Sequence, residues 1–218
     1  MSFKNEKRYL LGLHSSSEKF GVGIIDLKNP QEKIQIASFD GGRELSNNLF
    51  DYVDSILPTK SWMEIARIAV SKGPGSFTGT RVSVAMARTL AQQINCPLEG
   101  VSSFALMAAR HAKSLENHKI NSFFWIKKVL PRHGVIAGKY KVINPAKENN
   151  KLDIIELEEP HLIPDGTEIS PSLNASDNIL EDIRKLLEIL AQSHSIKNEN
   201  HWSEVLPIYP ISPISNSK

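Results

Sequence analysis

Ser71-Lys72-Gly73-Pro74-Gly75-Ser76-Phe77-Thr78-Gly79-Thr80-Arg81 lies between two apolar segments of this 218-residue chain. It holds three glycines, one proline and four hydroxyl side chains. The run before it, Ile65-Ala66-Arg67-Ile68-Ala69-Val70, predicts a short buried strand. The run after it, Val82 to Ile94, predicts a helix. A glycine-rich loop from strand end to helix start lets backbone come close to a ligand or to another chain. The loop therefore binds a phosphate, takes part in chemistry, or only packs.

Strict phosphate-binding patterns do not fit. A Walker loop needs a lysine directly after its last glycine, and Gly79 is followed by Thr80 and Arg81. A dinucleotide fingerprint spaces its glycines one, three and six; Gly73, Gly75 and Gly79 fall at one, three and seven. The strand–loop–helix context still suits an anion held by Ser76, Thr78 and loop amides. A tight turn that lets the helix pack closely is the competing reading.

The helix after the loop is apolar or small nearly all round, through Val82, Val84, Ala85, Met86, Ala87, Leu90, Ala91 and Ile94. Its narrow polar stripe is Arg88, Gln92 and Gln93, with Ser83 and Thr89. Such a helix is buried on two sides. The second side belongs either to this chain's core or to a partner.

Working outward, Tyr9 to His14, Phe20 to Asp26 and Lys33 to Phe39 predict three strands in an antiparallel meander. Leu45, Leu49, Tyr52, Val53, Ile56 and Leu57 recur at helical spacing until Pro58. Pro97 to Val101 predicts a strand, and Ser102 or Ser103 caps a helix from Phe104 to Ala112. Lys113 to Asn121 reads as a domain crossing. Beyond it, Ser122 to Ile126, Gly134 to Ile143 and Leu152 to Leu157 predict strands, and Pro160 to Leu173 irregular chain. Asn178 to Gln192 predicts an amphipathic helix capped by Ser176 or Asp177. Pro207, Pro210 and Pro213 make the tail an extended surface segment.

Composition narrows the function classes. The chain is 40% hydrophobic and 23% charged, with 26 basic and 24 acidic side chains, a net charge of +2. That balance does not by itself predict nucleic-acid binding. The polar start of the chain does not read as a secretory signal, and no apolar run approaches the ~20 residues that span a bilayer. A soluble cytoplasmic protein is expected. The lone Cys96 excludes an internal disulfide and reads as a buried structural thiol. The seven histidines include no pair at metal-ligand spacing, and no Gly-x-Ser-x-Gly elbow is present. Glu156, Glu158 and Glu159 read as solvated. Lys127, Lys128, Arg132 and His133 read as a solvated hairpin end, with an anion or RNA contact as the alternative.

Lys72-Gly73-Pro74-Gly75-Ser76-Phe77-Thr78-Gly79-Thr80-Arg81, the small-residue helix and then Gly100-Val101-Ser102-Ser103 closely resemble the bacterial TsaB (YeaZ) family. The resemblance runs from about Tyr9 to Arg110, and Val205-Leu206-Pro207-Ile208-Tyr209 looks like the family's terminal segment. It implies an actin-like, sugar-kinase and Hsp70 (ribonuclease H-like) α/β fold, a mixed sheet flanked by helices with a smaller degenerate second domain. Residues 1–112 with 177–218 would form the first domain, and 113–176 the second.

The resemblance also implies a non-catalytic partner in forming threonylcarbamoyladenosine on tRNAs that read ANN codons. Such a subunit pairs with a TsaD-like enzyme and helps recruit a TsaE-like ATPase. It forms a homodimer in isolation and meets tRNA only through the complex, with no membrane role. The implied interface is the small-residue helix, centred on Val82, Ala85, Met86 and Thr89. Gly73, Pro74, Gly75, Ser76, Phe77, Thr78, Gly79 and Arg81 form a structural loop or a weak anion site. No catalytic residue, metal or cofactor is assigned.

The sequence departs from the family pattern in three places. His14-Ser15 stands where many members end the first strand in Asp-Thr. Leu45-Ser46 stands where a histidine is often found. Ile126-Lys127-Lys128, followed by Val129-Leu130-Pro131-Arg132, replaces an Asp-Ala-Arg segment. The first departure removes the superfamily's phosphate-site carboxylate, which argues against metal-assisted ATP hydrolysis. The alternatives are a nucleotide-binding ATPase or kinase of the same superfamily, and a glycoprotease-like peptidase.

Overall fold

The computed structural model describes residues 7–15, 19–29, 34–112, 122–143, 153–197 and 200–211. The expected crossing at 113–121 lies outside the described residues. Among the described residues, no helix is long and apolar enough to cross a membrane.

Strand β1 (Tyr9–Ser15) is central to a five-stranded sheet. It pairs antiparallel with β2 (Lys19–Asp26), which pairs antiparallel with β3 (Gln35–Asp40). On its other side β1 runs parallel to β4 (Ile65–Ser71), and β4 parallel to β5 (Leu98–Val101). The order is β3-β2-β1-β4-β5, so the expected meander is present and two parallel strands extend it.

Alternation along β1 shows why Leu10, Leu11 and Leu13 are all apolar. Leu11 and Leu13 enter one cluster with Leu45, Leu49 and Val53 of α1 (Leu45–Ile56) and Val84, Met86 and Leu90 of α2 (Phe77–Ile94). Leu10 enters a second cluster with Ile183, Leu186, Leu187 and Leu190 of α4 (Ile179–Ser195). A strand covered on both faces has little use for solvated side chains, and its two polar residues, His14 and Ser15, are themselves buried. The two glycines of β2 serve the same layer. A Cβ built on Gly21 would lie 2.7 Å from Ile183 Cγ1, and one on Gly23 would lie 2.7 Å from Leu187 Cδ1. Gly23→Val is expected to lower stability by about 1–3 kcal/mol through overpacking beneath α4. Urea unfolding followed by circular dichroism would measure it.

A second sheet has the order β8-β7-β6-β9. Its strands are β6 (Phe123–Leu130), β7 (Gly134–Ile143), β8 (Asp153–Ile163) and β9 (Ser172–Asn174). Phe124, Ile126, Ile136, Tyr140 and Val142 pack on Phe104, Met107 and Ala108 of α3 (Ser103–Ala112). Leu106 of α3 joins the α4 cluster instead. Helix α3 thus supplies side chains to both cores.

Three local expectations change. The chain from Pro160 onward is not wholly irregular: β8 runs through Pro160 to Ile163, and β9 follows. The register shifts between Ala137 and Lys139, opposite the Glu158–His161 stretch that contains Pro160. A bulge there accommodates a residue that cannot donate to the ladder. The cap of α4 is Asn178, whose Oδ1 accepts from Glu181 N at 3.4 Å, because Ser176 is engaged by Arg110 and His111. The tail is extended from Val205, but Val205 itself is buried in the first core.

Candidate functional site

The glycine-rich loop is shorter than the sequence predicts, and α2 begins at Phe77 rather than Val82. Ser76 is the reason. It is the N-cap, and its Oγ accepts from Gly79 N at 3.3 Å. An N-cap hydroxyl satisfies one of the amides that a helix start leaves without a partner. Phe77, Thr78, Gly79, Thr80 and Arg81 are therefore helical. A Cβ on Gly79 would lie only 2.2 Å from Ser15 Oγ at the end of β1, so glycine is what seats α2 against that strand. Gly73 adopts φ +90°, a left-handed conformation that suits glycine.

Neighbouring backbone clamps the loop. Ser103 N donates to Gly73 O at 2.8 Å, and Ser103 Oγ donates to Pro74 O at 2.5 Å. Lys72 N donates to Val101 O, and Ile208 N of the tail donates to Lys72 O, each at 2.8 Å. Arg81 Nε donates to Tyr209 Oη at 2.8 Å. Its guanidinium lies 3.8 Å from the Phe77 ring centre and 5.0 Å from that of Tyr209. The structure thus brings Gly73, Pro74, Gly75, Ser76, Phe77 and Arg81 together with the tail.

The outer face of α2 carries exposed Thr78, Arg81, Ala85, Thr89 and Gln92, with Val82 and Arg88 half-buried. Ser83, Val84, Met86, Ala87, Leu90 and Ala91 face inward. This corrects the expectation for Met86, which is 6% exposed and belongs to the core with Leu45, Leu49 and Val53. One residue turns a helix by about 100°, so the neighbour of an outward Ala85 points elsewhere.

His14 does not face the loop. It is fully buried toward α4, with Nε2 3.8 Å from Asp182 Oδ2. Arg110 Nε donates to Asp182 Oδ1 at 3.2 Å, and Asn178 N donates to Asp182 Oδ2 at 3.2 Å. Neither ring nitrogen of His14 has a hydrogen-bond partner among the described residues. Burial lowers its pKa to about 4, with Arg110 adding to the effect and Asp177 opposing it. Burial also raises Asp182 above the usual carboxylate range, against Arg110.

His14 therefore binds protons more readily in the unfolded chain than in the folded one. Its contribution to stability is complete above pH ~6.5 and is lost as pH falls through about 4. Asp182, shifted the other way, offsets part of that loss in acid. The melting temperature is expected to fall between pH 7 and 4.5, and His14→Gln to flatten the slope, measured by thermal melts across pH.

A second polar group held by internal contacts, the half-buried Glu156, was invisible in the sequence. Glu156 is not a freely solvated carboxylate: Ser102 Oγ donates to its Oε1 at 2.5 Å and Tyr140 Oη donates to the same atom at 3.0 Å. Burial raises the pKa of Glu156 and that of Tyr140. Ser102 also caps α3 by accepting from Ala105 N at 3.0 Å. Nearby, Lys72 Nζ pairs with Glu159. These contacts tie the loop and the start of α3 to β7 and β8. Tyr140→Phe is expected to cost about 1–2 kcal/mol by removing a buried hydroxyl contact to a carboxylate, measured by urea unfolding.

Cys96 is buried, and burial pushes its thiol up to about 11, as suits a structural residue. Lys128 and Arg132 are exposed at the β6–β7 hairpin. Among the described residues, no three His, Cys, Asp or Glu side chains are grouped to hold a metal.

The β3-β2-β1-β4-β5 sheet with helices on both faces defines a mixed α/β protein. YeaZ from Pseudomonas aeruginosa has the same fold, at a TM-score of 0.66 and 18% identity, over 93% of this chain and 99% of that one. The family described as "TsaD: tRNA N6-adenosine threonylcarbamoyltransferase" matches residues 37–120. The tRNA threonylcarbamoyladenosine biosynthesis protein TsaB of Bacillus subtilis (strain 168) is 44% identical over 54 residues, 24% of this chain and 24% of that protein. TsaB of Buchnera aphidicola subsp. Acyrthosiphon pisum is 25% identical over 159 residues, 65% of this chain and 70% of that protein. The chain is thus similar in sequence to TsaB proteins over part of its length, and in fold to YeaZ. The chain spans only about a quarter of the Bacillus protein's length in that match.

Proposed function

We propose that this chain is a non-catalytic subunit in the formation of threonylcarbamoyladenosine on ANN-decoding tRNAs. In this reading it pairs with a TsaD-like enzyme, helps recruit a TsaE-like ATPase, and meets tRNA through the complex in the cytoplasm. Alone it forms a homodimer through the same surface. Residues 1–112 with 177–218 act as one domain and 113–176 as a second. The observation that carries the proposal is the outer face of α2. There small side chains, Ala85 and Thr89, are exposed on a helix whose other sides are buried. Close helix approach needs such small residues. The names of the matched TsaB proteins supply the pathway.

Co-purification with the TsaD homologue of the same organism tests the pairing. A tRNA modification assay with and without this chain tests the role. The proposal expects a stable complex and modification that depends on adding this chain. Modification at full rate without it would overturn the role, and separate elution at micromolar concentration would overturn the pairing.

A further inference from the structure

A cavity of about 200 Å³ opens between the glycine-rich loop, the second sheet and the tail. Its walls are mainly apolar: Pro74, Leu130, Ile136, Ile208 and Ile211. Two polar groups converge on it. Thr80 is 4% exposed and lines the cavity, yet its Oγ1 has no hydrogen-bond partner among the described residues. Buried hydroxyls are ordinarily satisfied, so an orphan at a cavity wall marks a place for a ligand atom. Lys128 lines the cavity from β6 and has no ion-pair partner among the described residues.

The start of α2 lies at the same wall, through Ser76 and Phe77. Gly79 N is taken by Ser76 Oγ and Thr80 N by Ser76 O. The amides of Phe77 and Thr78 precede these and have no acceptor within the helix. Free amides, the helix dipole and a lysine all favour negative charge. The apolar walls favour a hydrocarbon body, and a space of about seven water volumes limits its size.

We propose that this cavity binds a small organic acid, its carboxylate toward the start of α2, Thr80 and Lys128, and its hydrocarbon or aromatic body against Leu130, Ile136 and Ile208. The site lies at the start of α2, away from Ala85 and Thr89, and does not depend on the tRNA-modification reading.

The test uses the full chain and three probes: benzoate, benzyl alcohol and inorganic phosphate. Amide NMR titration should show saturable binding of benzoate, with shifts at Gly75, Phe77 and Thr78. Benzyl alcohol lacks the charge and phosphate lacks the apolar body, so each should bind about tenfold more weakly or less. Thr80→Val keeps the side-chain shape and should weaken benzoate about tenfold; Lys128→Ala, at an exposed position, should weaken it severalfold. Three results would overturn the proposal: no benzoate binding, phosphate binding as tightly as benzoate, or benzoate affinity unchanged in both variants.

Discussion

Met86→Glu is expected to unfold the protein, not merely to separate it from a partner. Met86 is 6% exposed and packs among the α1 and β1 side chains of the first core. Removing a buried methionine side chain costs about 2–5 kcal/mol by itself. Placing a carboxylate there adds a desolvation penalty that no cation in that apolar cluster offsets. The sum is comparable to the whole stability of a typical domain, about 5–15 kcal/mol. Thermal melts and urea unfolding would show a large loss of stability, or a chain unfolded at 25 °C. A variant that melts like the wild type would place Met86 on the surface and restore it as a contact residue.

The direction in which Met86 points is not carried by the sequence of α2. Helix α2 is small or apolar on nearly every side, so periodicity gives no strong sign of which side faces out. Packing on β1 and α1 decides which side faces in, and the local pattern does not carry that information. Ser76 as N-cap was legible in principle, since serine three residues before a glycine amide is a capping arrangement. The sheet was easier. Strands β1, β2, β4 and β7 follow from runs of apolar residues or alternation. Glu156 was illegible because its partners, Ser102 and Tyr140, are 54 and 16 residues away. Nothing local distinguishes a carboxylate held by such distant partners from Glu158 two residues on. His14 was legible as an unusual residue at a strand end, but its partner Asp182 comes from a helix that the sequence places without orientation.

Ala85→Glu combined with Thr89→Glu is the substitution that reads out the outer face of α2. Both positions are exposed, so the folded chain should accommodate the side chains in water and melt within a degree or two of the wild type. Glutamate is also a good helix former, unlike a β-branched replacement. Against a partner the outcome differs. Two carboxylates would be pressed into a contact shaped for small side chains, with steric overlap and unpaired buried charge together. Association with the TsaD-like partner is expected to weaken by at least 100-fold, a change of about 2.7 kcal/mol or more. Isothermal titration and light scattering would record it, for the hetero-complex and for self-association. Because the proposed homodimer and heterodimer share this face, both should fail together. Loss of one with the other intact would show that the two assemblies use different surfaces, and unchanged affinity in both would remove α2 from the interface.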